Sequence, residues 1–215
     1  MVCPHCQGAE KIFSSRTARR ELRRYQRRGP IKTTRLLVGA VTAEGFAART
    51  VLDIGGGVGV VQHELATRGA TRLTDVDASQ AYLDVAKKEA HRRGYGERAR
   101  YLYGDFVDVA SQVESADLVT LDRVVCCYPD ASALLHRAAE RAKGRLGLVW
   151  PRDRWWTRLA ARGMNSILVV TRNPFRMRIH PDNLVHGELE RAGLIRQHHQ
   201  RAGFWQVAVY ERPSQ

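Results

Sequence analysis

The chain has 215 residues, of which 44% are hydrophobic, enough for one α/β domain with a buried core. No apolar run reaches the roughly eighteen residues of a transmembrane helix, and no signal-peptide stretch begins the chain, so we expect a cytoplasmic protein with no membrane span. The net charge of +13 is compatible with a nucleic acid or an anionic small molecule as partner.

Two helices are predicted before the first strand. Ser15–Arg28 has apolar positions three to four residues apart and stops at Gly29-Pro30, and Lys32–Ala43 forms a second helix. Both belong to a predicted N-terminal extension, residues 1–45, whose first 36 residues contain ten Lys or Arg and only two Glu. We interpret the extension as a basic lid, with a solvated charged face as the alternative.

Strands and helices then alternate through residues 46–215, which we expect to form one domain. The repeated strand–helix order predicts an α/β fold with a parallel, doubly wound sheet. The five strands predicted in this part are Thr50–Ile54, Arg72–Asp77, Arg100–Tyr103, Ala116–Leu121 and Leu146–Trp150.

The last third of the chain departs from this alternation. Residues of about 151–180 are rich in Trp, Arg and Phe, and we interpret them as a cap inserted after strand 5. A helix over His180–Ala192 follows. The chain then ends in a predicted antiparallel pair, Leu194–Gln200 with Phe204–Arg212.

The strongest functional signal is the segment Val51–Gly59, where a predicted strand leads through glycines into a helix. Glycine suits such a turn because the backbone bends sharply and must approach a ligand closely. The order Asp53-x-Gly55-x-Gly57-x-Gly59 differs from the G-x-G-x-x-G of dinucleotide sites and lacks the Gly-Lys-Ser/Thr of a Walker A loop. Asp53 also favours a cationic ligand group and would repel a pyrophosphate.

Three more acids lie at the carboxyl ends of predicted strands, where open α/β sheets bind ligands. Asp77 ends the second strand and can accept hydrogen bonds from both ribose hydroxyls, with Asp75 inside the strand as the less favoured alternative. Asp105 follows the third strand beside Phe106, suited to an adenine amino group and ring. Asp122 ends the fourth.

These features, in this order and spacing, resemble the class I S-adenosylmethionine (SAM)-dependent methyltransferases over residues 51–150. The resemblance implies a Rossmann-like seven-stranded sheet, mostly parallel with one antiparallel strand, SAM as methyl donor and S-adenosylhomocysteine (SAH) as product. It implies that the glycines wrap the donor, while Asp77 holds the ribose, Asp105 lies by the adenine and Asp122 borders the methyl-transfer site. Carried over by position, the donor-binding residues are Asp53, Gly55, Gly57, Gly59, Asp77, Ala78, Asp105, Phe106 and Asp122.

More loosely, the whole chain is similar to proteins grouped with magnesium-protoporphyrin O-methyltransferases. The basic N-terminal helix with Tyr25, residues 29–34 and the turn at 127–130 carry this likeness. No porphyrin-ligating residue can be assigned, and the porphyrin substrate stays open.

The predicted acceptor is a small molecule, anionic or aromatic, methylated on oxygen. Asp122 is followed by Arg-Val-Val and not by the Pro-Pro-aromatic turn of amino-nucleobase methyltransferases, which disfavours nucleic acid. An oxygen acceptor needs little acid–base help, because orientation and proximity supply most of the rate. Tyr128 and His180 are the candidate catalytic residues, His180 as a base, and Arg152 is a further candidate acceptor contact.

Two alternatives remain for the acceptor, and a non-catalytic SAM- or metal-binding protein is a third reading. The positive charge is compatible with an RNA methyltransferase. The cysteine pairs Cys3/Cys6 and Cys126/Cys127 are compatible with a thiol-bound metalloid as substrate. A single C-x-x-C is weak evidence for a metal, so no metal ligand is assigned.

Overall fold

The computed structural model describes residues 14–213. Two helices precede the sheet, α1 (Ser15–Arg28) and α2 (Lys32–Val41). The first has the predicted bounds. The second ends two residues earlier than predicted, because the chain turns at 43–45, where Glu44 and Gly45 adopt positive φ angles of 57° and 71°.

Seven strands form one sheet with the order β3-β2-β1-β4-β5-β7-β6. The strands are β1 Thr50–Ile54, β2 Arg72–Asp77, β3 Ala99–Tyr103, β4 Ala116–Asp122, β5 Ala142–Pro151, β6 Ile195–Ala202 and β7 Trp205–Glu211. The pairs among β1 to β5 are parallel, and β7 runs antiparallel to both β5 and β6. The predicted fold, a Rossmann-like and mostly parallel sheet with one antiparallel strand, is confirmed.

Helices cover both faces of the sheet. The remaining helices are α3 Val60–Ala66, α4 Gln80–Arg92, α5 Phe106–Val109, α6 Ala131–Arg141, α7 Trp155–Val170 and α8 Asp182–Arg191. One buried cluster joins α2, α3 and α4 to the sheet, and a second joins α6 and α8 to the opposite face. This double covering explains why the central strands are nearly continuous apolar runs.

The N-terminal helix α2 lies directly on the sheet. Leu37, Val38 and Val41 are fully buried there. Gly147 of β5 allows this approach, because a Cβ atom at that position would overlap Val41. The division of the chain at residue 45 stays a prediction.

The cap predicted after strand 5 contains the long helix α7. The next helix, α8, begins at Asp182 and not at His180, because Pro181 occupies its N-cap position in an extended conformation. Residues 171–180 therefore connect the two helices without regular structure. Within residues 14–213, no helix is both long and apolar enough to cross a membrane.

Candidate active site

The glycine turn connects β1 to α3 at the carboxyl end of the sheet. Gly55, Gly57 and Gly59 have φ angles of 64°, 61° and 77°, a region that other residues rarely adopt. A Cβ atom on Gly55 would lie 2.6 Å from Cγ2 of Val124. The turn therefore requires glycine for its backbone shape, and at Gly55 also for the space that it leaves beside Val124.

Asp77 lies next to this turn, at the end of β2. Its Oδ2 accepts a hydrogen bond from the N–H of Gly57 at 3.0 Å, and its Oδ1 accepts one from the N–H of Ser79 at 2.8 Å. Burial raises the pKa of Asp77 to about 6, although these two N–H donors oppose the rise. The backbone thus holds a mostly ionised carboxylate in a fixed orientation at neutral pH.

A cavity of about 220 Å³ opens beside Asp77. It is lined by eight of the eleven residues that the sequence singled out: Gly55, Gly57, Asp77, Ala78, Asp105, Phe106, Asp122 and Tyr128. These residues come from the ends of four different strands, as expected where parallel strands end at one edge of a sheet. The fold thus brings most of the predicted site to one place.

Asp105 and Tyr128 are joined across one side of the cavity. The hydroxyl of Tyr128 donates to Oδ1 of Asp105 at 2.5 Å, and Asp105 also accepts from the N–H of Val107 as the N-cap of α5. Phe106, the next residue, is buried with its ring in the core. The hydrogen bond fixes the turn that carries Tyr128 against the third strand end.

Asp122 lies on the other side, held by two partners. It accepts from the Thr34 hydroxyl of α2 at 2.5 Å and from Nε of Arg123 at 3.2 Å. Arg123 has a positive φ of 65°, uncommon for a residue with a side chain. This backbone conformation directs the chain after β4 along the cavity wall.

Asp53 is fully buried beneath the glycine turn, outside the large cavity. It lines a smaller cavity of about 60 Å³ and accepts from the Thr120 hydroxyl at 2.7 Å. In the sheet register it lies beside Asp75, which is also fully buried. Burial raises the pKa of both carboxyls, and for Asp75 the neighbouring Asp53 adds to the rise. Both side chains therefore favour the protonated form more than an exposed aspartate does.

The structure does not bring Gly59 or His180 to the large cavity. Gly59 is the N-cap of α3, one turn deeper in the fold. Nε2 of His180 lies 3.1 Å from the backbone oxygen of Tyr128, and burial lowers the pKa of His180. The ring thus contacts the backbone of Tyr128 and is not part of the cavity lining, and the role of His180 as a base stays a prediction. Similarly, Arg152 donates to the backbone oxygen of Gly203 at 3.2 Å, away from the cavity.

The two cysteines after β4 lie at the junction between the cavity and the cap. Cys127 lines the cavity, whereas Cys126 is buried against Ala161 and Phe175 of the cap, with 3.7 Å between the two sulfurs. Hydrogen bonding to Cys127 and burial raise the pKa of Cys126. Cys3 and Cys6 lie outside the described residues, so the predicted convergence of four thiols remains untested.

Two charged residues of the cavity lining were missed by the sequence reasoning. Glu21 reaches the cavity from α1, and Arg123 reaches it from the turn after β4. Glu21 had one usable signal, because it is the only acid within the arginine-rich helix α1. Arg123 had none, since a left-handed backbone at arginine is not visible in a sequence.

Comparisons with known proteins agree with this arrangement. Residues 51–144 match the family model described as a methyltransferase domain. The ubiquinone biosynthesis O-methyltransferase of Pseudomonas savastanoi pv. phaseolicola is 32% identical over 100 residues, which are 46% of this chain and 42% of that protein. The chain thus matches less than half the length of this curated relative.

Solved structures share the fold over most of the chain. Magnesium protoporphyrin IX methyltransferase from Synechocystis PCC 6803 with bound SAH has a TM-score of 0.69 at 21% identity, covering 85% of this chain and 83% of that one. An O-methyltransferase family protein from Burkholderia thailandensis also has a TM-score of 0.69, at 22% identity, covering 86% and 58%. Residues 51–144 therefore match a methyltransferase domain, and the sheet that contains them has the fold of these methyltransferase structures.

Proposed function

We propose that this chain transfers a methyl group from SAM to an oxygen atom of a small molecule. The observation that carries the proposal is the single cavity that joins Asp77, Asp105 and Phe106 to Arg123 and Tyr128. Similar proteins with O-methyltransferase names, such as the ubiquinone biosynthesis enzyme, support the same reaction class.

The residues around the cavity fit SAM. Asp77 has lone pairs left for the ribose hydroxyls, and the positive-φ glycines keep the turn free of side chains where the donor would lie. Asp105 lines the cavity, and we assign it to the adenine amino group, whereas Asp53 lies buried beneath the turn and would act on the cationic amino-acid end only from behind the backbone. When bound, SAM supplies a methyl group on a sulfonium, which is already activated for transfer.

On the acceptor side, the chain would act mainly by binding and orientation. Arg123 is the one cation among the described residues that line the cavity; it pairs with Asp122 and would contact an anionic acceptor, and Tyr128 offers an aromatic ring to the same cavity. Because no base is needed for a carboxylate or phenolate oxygen, positioning accounts for the rate. From the sequence, we expect the protein to act in the cytoplasm.

The direct test is methyl transfer from isotopically labelled SAM to a panel of carboxylates, phenols and reduced quinones. We expect labelled product with at least one oxygen acceptor and none with matched amines, and Arg123→Gln should raise KM for anionic acceptors. Tight SAH binding without turnover on any acceptor of the panel would contradict the proposal.

A second candidate, RNA methylation, is favoured by one observation. Helix α1 exposes seven arginines, Arg16, Arg19, Arg20, Arg23, Arg24, Arg27 and Arg28. Labelled SAM with total RNA tests this directly. RNA affinity that falls steeply with salt, together with methylated nucleotides after digestion, would replace the small-molecule proposal.

A further inference from the structure

The cap helix α7 presents an unusual outer face. Among residues 14–213, eight large hydrophobic side chains are exposed, and six of them belong to this one helix. The six are Trp155, Leu159, Met164, Ile167, Val169 and Val170. An amphipathic helix on a protein surface normally turns its polar side outward, so this face needs an explanation.

The exposed residues form a continuous surface. Trp155, Leu159, Ile167 and Val170 fall within about a third of the helix circumference at 100° per residue. Their exposed fractions are 76%, 59%, 66% and 83%. On the inner side, Thr157 and Ala161 are buried and Leu168 packs against the cap cluster. The helix is therefore apolar on its outer face and anchored to the cap on its inner face.

Positive charge borders this apolar face along one edge of the helix and beyond its C-terminal end. Residues 152–178 contain seven arginines and a single aspartate. Arg154, Arg158, Arg162 and Arg172 are exposed, and Arg158 pairs with Asp153 at 2.7 Å. An apolar stripe bordered by arginines matches the two layers of an anionic lipid surface, namely acyl chains and negative head groups.

We propose that α7 is an interfacial helix that binds the surface of an anionic membrane. Its apolar residues enter the boundary of the acyl chains, and the bordering arginines contact the head groups. A second copy of the chain is a poorer occupant, because a two-fold interface would bring this arginine-rich face against itself. The helix is too short and too polar at its borders to span the bilayer, in agreement with the absence of a spanning helix in residues 14–213.

Vesicle flotation with the full chain tests the proposal. The probes are vesicles of phosphatidylcholine alone and of phosphatidylcholine mixed with phosphatidylglycerol. We expect binding to the anionic vesicles only, decreasing with salt. The double substitution Leu159→Asp, Ile167→Asp should weaken binding at least about tenfold, because both apolar contacts are replaced by charges that head groups repel.

The matched control is Ile195→Asp. Ile195 is exposed to a similar extent, 54%, but lies on the edge strand β6 outside the cap. This variant should bind vesicles nearly as the wild type does, allowing for one added negative charge. Circular dichroism and SAH binding establish that each variant is folded.

Three results would overturn the proposal. The first is no binding of the wild type to anionic vesicles. The second is equal binding by the α7 double variant, which would assign the attraction to charged surfaces elsewhere, such as α1. The third is a wild-type dimer that the α7 substitutions convert to a monomer, which would identify a second copy as the occupant. Because vesicle binding does not require SAM, these results are independent of the proposed methyl transfer.

Discussion

The substitution Asp77→Asn would remove the negative charge beside the glycine turn while keeping the size of the side chain. The Asp77 carboxylate accepts from the N–H groups of Gly57 and Ser79, and ribose hydroxyls would use its remaining lone pairs. A hydrogen bond to a charged acceptor contributes about 1.5–3 kcal/mol. Losing one such bond should weaken SAH binding about 10- to 100-fold, since each 1.4 kcal/mol is about a factor of ten.

Isothermal titration with SAH measures this difference. Asp77→Ala should weaken binding further, because no acceptor remains. Asp84→Asn is the matched control, since Asp84 is an exposed acid of α4 that contacts Gln80 and lies outside the cavity. Thermal unfolding should show that the variants are folded. If Asp77→Asn binds SAH as tightly as the wild type and the control, the ribose assignment is wrong.

The same site predicts a pH dependence. Burial raises the pKa of Asp77 to about 6, so the carboxylate is charged at pH 8 and becomes protonated as the pH falls through about 6. SAH affinity should therefore decrease between about pH 7 and 5 in the wild type and change less in Asp77→Asn. An equally steep pH dependence in both proteins would assign the titration to another group.

Three further predictions concern stability and SAH binding. Gly55→Ala should lower the free energy of unfolding by at least about 1–2 kcal/mol in urea titrations, because the φ angle of Gly55 is positive and the new Cβ atom would overlap Val124. An unchanged urea midpoint would show that the turn can relax around the extra atom. Asp75→Asn should become more stable relative to the wild type as the pH rises from about 5 to 8, because the raised pKa of Asp75 stabilises the folded wild type at low pH and this contribution is lost as the pH rises. The Tm values of both proteins at about pH 5 and pH 8 measure this change. A Tm difference between the two proteins that is the same at both pH values would count against a buried, protonated Asp75. Tyr128→Phe removes the hydrogen bond to Asp105 and should weaken SAH binding by a few-fold, about 1 kcal/mol in titration calorimetry; a change in kcat alone would instead indicate a direct role for the hydroxyl in the reaction.

Local patterns predicted much of this fold. Strands β1 and β2 have the predicted bounds, because β1 is a short, mostly apolar segment closed by glycine and β2 ends at an acid that precedes a helix cap. Ser79 caps α4, its hydroxyl accepting from the N–H of Tyr82. The end of α2 near Glu44 and the start of α8 near Pro181 differ from the predicted limits, because they depend on backbone angles that the sequence pattern does not show.

The site was predicted only as far as it follows from strand order. Acids at the ends of parallel strands meet at one edge, so Asp77, Asp105 and Asp122 came together as expected. The contribution of Glu21 depends on how α1 packs against α4 and the glycine turn, which no local pattern encodes. His180 does not line the cavity, since its ring contacts the backbone of Tyr128, and its catalytic role stays a prediction.

Gly147 of β5 limits how far the chain can be shortened from its N-terminal side. Because that residue has no side chain, the sheet leaves a shallow trough, and Leu37 and Val41 of α2 fill it. A chain beginning at residue 46 would lack α2, so this trough would be open to water and the neighbouring Val149 and Val209 would become exposed. Helix α2, which lies within the predicted N-terminal extension, therefore protects part of the sheet from water.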